Sequence, residues 1–526
     1  MNDSFIKITV IENEYSTEYE VSQGDSVLQA LKSLGFFIPA VCGGIGKCGK
    51  CKVKVSMPIS IDINEDERKH LDEQEIKNGI RLACHIPAVN GMKIWIGGPF
   101  EKAEQTAPIY SAKHRTGKIG AAVDIGTTTI VLSIINLVSG ELISTESAMN
   151  PQIANGADVI SRIAYVESNP SKLKEMQGLV VSAVNWLISL SLKSLGLKES
   201  CISKMVVSGN TVMLHMFLGF DVQSLGVYPY QAKNIGVLIK NGEKIGLNIA
   251  KDSEVLILPC ISAFLGADIV SGLLETRLFE NEKMSILLDI GTNGEIVAGN
   301  KSRMVGCSTA AGPAFEGASI RCGSINVKGA IDKVFLHDGD VEYSTIGNIP
   351  PKSICGSGII DMTAVLLQEE IIQLNGRMIS ADESANSKVI EYKGMPAFLI
   401  ARGENQVIFT QEDVRKVQLA KSAVITGINL IMKRLNIDYK DVDKLYIAGN
   451  FGTFLDINNA IKIGLIPEPL KDKIVIVGNS SIKGAEKCLI DNQLTEKCLK
   501  IQRQVEYYDI GRDKDFQEMF ISNLNF

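Results

Sequence analysis

The apolar pattern changes character twice along the chain. Residues 5–11, FIKITVI, run or alternate apolar as a short strand does. After EYEVS and a turn at Gly24–Asp25, Val27, Leu28, Leu31 and Leu34 recur at the spacing of one helix face. A glycine-rich loop, the strand CKVKV, an acidic polar helix over NEDERKHLDEQEI and the strand MKIWIGG follow. The predicted order is β, β, α, loop, β, α, β, an α+β unit over residues 1–98. Residues 99–117, PFEKAEQTAPIYSAKHRTG, show little apolar periodicity and read as a flexible linker.

From Lys118 onward the chain reads as long α/β segments punctuated by glycine. AAVDIGTTTIVLSII (121–135) and ILLDIGTNGEIVAGN (286–300) share an apolar run, Asp-Ile-Gly-Thr and a second apolar run. Each predicts a hairpin of strand, polar Gly-Thr turn and strand. Two such hairpins predict a duplicated α/β unit over 118–526, with halves of roughly 118–283 and 284–526 and a cleft between them.

Composition narrows the class. Of 526 residues, 45% are hydrophobic and 22% charged, the balance of a water-soluble globular chain. A net charge of −6 offers no basic footprint for nucleic acid and no cationic membrane patch. The start, MNDSFIKITVIENEY, lacks the basic and apolar regions of a secretory signal. The longest apolar run, GKIGAAVDIGTTTIVLSIINLV, is interrupted by glycine, aspartate and threonine, so no span of a bilayer is expected. A cytoplasmic protein is the expectation, with neither membrane nor nucleic acid as partner.

Four of the eleven cysteines are gathered early. Cys42, Cys48, Cys51 and Cys84 give C-x5-C-x2-C-x32-C, three on the loop CGGIGKCGKC and the fourth in LACHIP. Zinc ribbons favour two close cysteine pairs, and here there is one. Three ligands on one glycine-rich loop with a distant fourth fit a [2Fe–2S] ferredoxin site, whose plant form is C-x4-C-x2-C…C. A structural zinc site and plain buried thiols are the alternatives. The other seven cysteines read as small buried hydrophobes.

In DIGTTT, Asp124 ends a strand, and Gly126, Thr127, Thr128 and Thr129 present hydroxyls and backbone N–H groups, an anion-binding concavity. DIGTNGE repeats this with Asp289, Gly291, Thr292, Asn293, Gly294 and Glu295. Asp124, Asp289 and Glu295 are the candidate catalytic carboxylates, with the aspartates suited to Mg²⁺ or its waters. KLYIAGNFGTFL places Gly449, Asn450, Phe451 and Gly452 after a strand, where a nucleoside could approach the backbone. ICGSGIIDMTAVLLQ places Gly356 and Gly358 before a helix whose N-terminus suits phosphate or ribose. Taken singly, each glycine pair is as well explained by a tight turn. Together they point to nucleotide binding, with Mg²⁺ at the aspartates.

The two DIGT hairpins and AGNFG resemble the acetate/sugar kinase, heat-shock chaperone and actin superfamily. That resemblance implies an actin-like ATPase fold with ATP between duplicated halves. Joined to the cysteine loop, the whole chain resembles the reductive activators of corrinoid proteins, with SGNTVMLHMFLG, STAAGPAFEGASI and ICGSGIID as further matching segments. The resemblance implies a β-grasp ferredoxin-like domain and one-electron reduction of Co(II) to Co(I) at the expense of ATP. It also implies a corrinoid protein and a separate electron donor as partners, and a homodimer as a candidate assembly. Two rivals share the cleft: a small-molecule kinase with a regulatory cluster, for which Asp268 is a candidate base, and an ATP-driven electron donor to another low-potential metalloenzyme.

Overall fold

A computed structural model of the chain describes residues 5–12, 15–34, 36, 38, 44, 46, 49, 51–59, 61–96, 118–402, 406–449 and 455–526. The linker expected over 99–117 lies outside the described residues, as do Cys42, Cys48, Asn450, Phe451 and Gly452.

Alternating burial builds the first sheet. Strands β1 (Phe5–Glu12), β2 (Tyr15–Ser22), β3 (Lys52–Ser56), β4 (Ile80–Leu82) and β5 (Met92–Ile96) lie in the order β2–β1–β5–β3–β4. On β3, buried Val53 and Val55 alternate with exposed Lys52, Lys54 and Ser56. The buried side chains share a core with Val27, Leu28 and Leu31 of helix Val27–Ser33. Ser26 and Gln29 close a capping box at that helix's start. This is the β-grasp arrangement.

Two details differ from the sequence expectation. Strand β4, only three residues long, stands outside the predicted element order, although it ends where LACHIP begins. The acidic helix is two helices, Glu65–His70 and Glu73–Lys77, because Asp72 caps a new start through Glu75. Between them and β4 lies a buried ion pair: Arg81 donates through Nη2 to Glu67 at 2.6 Å and through Nε at 2.9 Å. Burial raises the Glu67 pKa, but the hydrogen bonds from Arg81 and from Leu82 N–H more than offset this and hold it below the usual range.

The larger part carries two sheets of one plan. In the first, β6 (Ile119–Ile125), β7 (Thr129–Asn136), β8 (Leu142–Met149), β9 (Ile202–Gly209), β10 (Leu238–Asn241) and β11 (Glu254–Ile257) lie in the order β10–β11–β9–β6–β7–β8. The second begins with β12 (Met284–Ile290), β13 (Gly294–Gly299) and β14 (Met304–Thr309). Two small sheets intervene: β15 (Ala330–His337), β16 (Asp340–Thr345) and β17 (Ser353–Ile354), then β18 (Val389–Tyr392), β19 (Met395–Ala401) and β20 (Val407–Thr410). The main sheet resumes with β21 (Val442–Ala448), β22 (Ile474–Gly478) and β23 (Val505–Tyr507), giving β22–β21–β12–β13–β14–β23.

The duplication is thus a matter of strand order. β11–β9–β6–β7–β8 and β22–β21–β12–β13–β14 correspond strand for strand, with the DIGT hairpins β6–β7 and β12–β13 at equivalent places. In each, the strand bearing the aspartate pairs in parallel with the first returning strand. β6 is buried along its whole length, as befits a central strand flanked on both sides.

The chain also crosses between the halves. Helix Ser480–Ile490 belongs to the second half by sequence, yet it packs against β6, β9 and helix Ala267–Thr276 of the first. One expectation needs amending. Helix Ser171–Leu195 contains a 23-residue stretch, Ser171–Lys193, long and apolar enough by composition to cross a membrane. Here its apolar face, including Met176, Val184 and Leu187, is buried in the core of the first half, against β7 and β8.

The buried Glu67–Arg81 pair gives a direct test. Replacing Glu67 by alanine strands a buried guanidinium, which costs about 3–5 kcal/mol. In a Trp186→Phe background only Trp95, on β5, reports by fluorescence. Adding Glu67→Ala should then shift the Trp95 urea midpoint sharply downward, and the double change Glu67→Leu with Arg81→Met should recover part of it.

Candidate functional site

Asp124 and Asp289 are delivered by equivalent strands to the two sides of one cavity of about 580 Å³. The turns beyond them close alike. Gly126 N–H donates to Thr129 O at 3.0 Å, and Gly291 N–H to Asn293 O at 2.9 Å. The turns meet: the Thr128 and Thr292 hydroxyls are 3.0 Å apart, and both donate to the Glu316 carboxylate, Thr128 at 2.8 Å.

Of the residues singled out in the sequence, Asp124, Gly126, Thr127, Thr128, Thr129, Asp289, Gly291, Thr292, Asn293, Glu295, Gly356 and Gly449 line the cavity. Gly449 has φ +95°, and a Cβ there would stand 2.9 Å from Asp289 Oδ1, so glycine permits this close approach. Two residues fall elsewhere. Gly358 lies within helix Gly356–Gln368, and a Cβ on it would meet Ile331 O at 2.4 Å; it lets the helix pack on β15. Gly294 starts β13, where a Cβ would stand 2.6 Å from Thr309 Oγ1.

The structure adds partners that the sequence reading did not single out. Glu316 stands within STAAGPAFEGASI, where nothing local sets it apart from its neighbours. Asn479 and Ser481, at the start of helix Ser480–Ile490, donate to the two Asp124 oxygens at 3.0 and 2.7 Å. Their sequence signal, an Asn-Ser-Ser helix start, says nothing of a partner some 350 residues earlier. Asp268, in the first turn of helix Ala267–Thr276, lines the cavity while accepting from Ile269 N–H at 2.8 Å, so it is both a helix-start residue and a cleft carboxylate.

Crowding sets the electrostatics. Burial, then the charges of Asp268, Asp124 and Glu316, pushes Asp289 up to about 8. Burial, then Asp124, raises Asp268; burial, then Asp268 and Asp289, raises Glu295 well above its usual range. Asp124 is raised by burial against the opposing pull of Ser481 and Asn479. Glu316 is raised by burial against its two threonine hydrogen bonds. Behind the first turn, fully buried Arg162 donates to Thr127 O at 2.5 Å and to Gly156 O at 3.0 Å, its pKa lowered to about 9 by burial.

These carboxylates suit a cation that brings its own oxygens. No three acidic, histidine or cysteine side chains among the described residues converge to ligate one ion. Mg²⁺ characteristically takes only one or two carboxylates and completes its shell with water and phosphate oxygens. At the cysteine loop, Cys51 and Cys84 bring their sulfurs within 3.3 Å. Two thiolates about 2.3 Å from one tetrahedral metal are roughly 3.8 Å apart, so this pair fits two ligands of one metal atom.

Sequence comparison gives three consecutive matches. Residues 10–89 match the 2Fe-2S iron-sulfur cluster binding domain, 119–281 the RACo middle region, and 283–526 the C-terminal domain of RACo, the ASKHA domain. The corrinoid activation enzyme RamQ of Eubacterium limosum is 34% identical over 433 residues, covering 80% of this chain and 71% of that one. The chain belongs to the RACo family of reductive activators of corrinoid proteins. A reductase of Methanosarcina barkeri, described as acting on the Co(II) methylated amine-specific corrinoid protein, is 22% identical over 441 residues, 77% of each chain. A solved reductive activator for a corrinoid, iron-sulfur protein superposes with a TM-score of 0.74 at 28% identity, covering 99% of this chain and 98% of that one. The expected family, the β-grasp domain and the actin-like ATPase fold are therefore established for this activator.

The raised Asp289 pKa predicts a pH dependence. In the folded chain its proton is held up to about pH 8, whereas an unfolded aspartate releases it near pH 4. The native state binds more protons across this window, so its contribution to stability is greatest below about pH 4 and is lost as pH rises toward about 8. With divalent ions chelated, the melting temperature should fall from pH 5 to pH 8, and Asp289→Asn should flatten that fall. The same variant should lose at least about tenfold in ATP hydrolysis with Mg²⁺ restored.

Proposed function

We propose that this activator spends ATP in the acidic cleft to drive one electron from a [2Fe–2S] site at Cys42, Cys48, Cys51 and Cys84 onto the Co(II) of a corrinoid protein, restoring Co(I). The observation that carries the reading is the pairing, in one chain of this family, of a close Cys51–Cys84 contact with a cleft between two matching Asp-Ile-Gly-Thr turns. The relatives' descriptions supply the substrate class: one is a corrinoid activation enzyme, another a reductase of a Co(II) corrinoid protein.

A [2Fe–2S] cluster supplies a one-electron store, which matches the single electron separating Co(II) from Co(I). In the cleft, Thr127–Thr129 and the turn residues Thr292 and Asn293 offer backbone N–H groups and side-chain donors to phosphate oxygens. Asp124 and Asp289 are the residues that would hold Mg²⁺ or its waters, whose positive charge would offset the burial that raises both pKa values. Glu295 and Asp268 stand where a carboxylate can orient the attacking water, and Gly449–Gly452 is the stretch assigned to the nucleoside.

Hydrolysis helps a low-potential transfer only through binding. Tenfold in a one-electron equilibrium corresponds to 59 mV. A nucleotide state that holds one form of the corrinoid protein more tightly than the other shifts that equilibrium by the ratio of affinities. The reading places the protein in the cytoplasm and requires an electron donor yet to be identified.

The test is an assay of ATP turnover with the products identified. ADP and inorganic phosphate should form slowly alone and several-fold faster when a Co(II) corrinoid protein is added. Phosphoryl transfer to a metabolite, with no response to the corrinoid protein, would establish the kinase instead.

A further inference from the structure

The ferredoxin domain touches both halves of the ATPase, and each contact leads back to the cleft. On the first half, Lys32 of helix Val27–Ser33 donates to Asn155 Oδ1 at 2.6 Å and to Ala154 O at 3.3 Å. Ala154 is packed into the ferredoxin core itself. Helix Ser171–Leu195 adds Glu175, which accepts from Asn155 at 3.2 Å and attracts Lys32. Lys32 is partly buried here and held by three residues of the first half, unusual for a lysine on a small domain that only swings on a tether.

On the second half, Lys393 sits at the tip of the β18–β19 hairpin. Its ammonium group donates to Arg68 O at 3.0 Å and to Lys69 O, the last carbonyls of helix Glu65–His70. A cation is favourable at that helix end. Gly49 of the cysteine loop lies against His70, the next residue, where an added Cβ would stand 2.6 Å from the imidazole. The dock therefore holds the edge of the cysteine loop as well as the opposite helix.

The dock surface and the phosphate turns share backbone. Ala154 and Asn155 end the turn Pro151–Asn155. Asn150, which caps it, donates through its backbone to Thr128 O at 2.7 Å and through its side chain to Gly126 O at 2.8 Å. Arg162 clamps the other end, binding both Gly156 O and Thr127 O. All three carbonyls of the first turn are thus fixed by the segment that receives Lys32. On the other side, the Arg321 guanidinium lies 4.4 Å over the ring of Tyr392, beside Lys393. Arg321 follows Glu316 by five residues on the segment that bridges the two turns.

We infer that the cluster domain docks across both halves through Lys32 and Lys393, and that this dock and nucleotide binding strengthen each other. The inference rests on the cleft being a nucleotide site. Its physical content is preorganisation: docking fixes the segment that holds the Gly126, Thr127 and Thr128 carbonyls, and so the conformation of the turn that lines the cavity. Linkage is reciprocal, so whatever factor docking adds to nucleotide affinity, nucleotide adds to docking.

The test uses the full chain purified anaerobically with its cluster. Affinity for a non-hydrolysable ATP analogue with Mg²⁺ is measured by calorimetry for the natural protein and for Lys32→Ala with Lys393→Ala. In parallel, trypsin cleavage within 99–117 is timed with and without the analogue. The double variant should keep its cluster absorbance yet bind the analogue about fivefold or more weakly, a modest allosteric coupling. The analogue should slow linker cleavage in the natural protein and leave the variant's rate unchanged. Equal affinities within twofold, together with cleavage indifferent to the analogue, would overturn the dock while leaving the ATPase reading intact. Failure of the natural protein itself to bind the analogue would overturn the nucleotide reading, and this inference with it.

Discussion

Buried negative charge is the constraint around which the larger part of this protein is built. Six carboxyl groups, those of Asp124, Asp268, Asp289, Glu295, Glu316 and Glu486, are drawn from both halves into one cavity, and each is held above its ordinary pKa. Such a cluster costs stability unless something positive enters it. A stable fold that retains it has been shaped for a charged ligand. The rest of the architecture holds the charges in register: parallel strands bring the aspartates to equivalent places, and two short turns set hydroxyls between them.

The same cleft joins the halves. Glu316 accepts from Thr128 and Thr292, and helix Ser480–Ile490 crosses to hold Asp124 through Ser481 and Asn479. The halves are therefore tied at the site of ligand entry as well as farther out, where Gln502 donates to Ile235 O and Cys260 O at 2.7 Å. An event at the phosphate turns reaches both halves directly, and through Lys32 and Lys393 it reaches the cysteine-bearing domain. That gives a physical reason for fusing a one-electron domain to an ATPase of this kind.

Much of this was legible in the sequence because it depends on local pattern. The repeated DIGT with flanking apolar runs gave the hairpins and the duplication, since a strand–turn–strand signal lies within fifteen residues. The cysteine spacing pointed to a ferredoxin domain, which the match over residues 10–89 shows, and the chain's resemblance to corrinoid activators agrees with the family found. Long-range placement was not legible. Nothing near Ser481 signals Asp124, because that contact is made by a helix crossing between halves. Gly358 and Gly294 carry the same letter as the cleft glycines but serve packing, which only the neighbours Ile331 and Thr309 reveal. Helix Ser171–Leu195 shows the converse: its length and hydropathy suit a membrane span, and packing alone shows it to be a core helix.

The most direct measurement is anaerobic visible spectroscopy of a Co(II) corrinoid protein mixed with this activator. Reductant and ATP are supplied separately and together. The account predicts that the Co(I) spectrum grows substantially only when both are present, and that Cys51→Ala abolishes it while ATP hydrolysis persists. Full conversion to Co(I) with reductant alone, or ATP consumption that leaves Co(II) untouched under every condition, would contradict it.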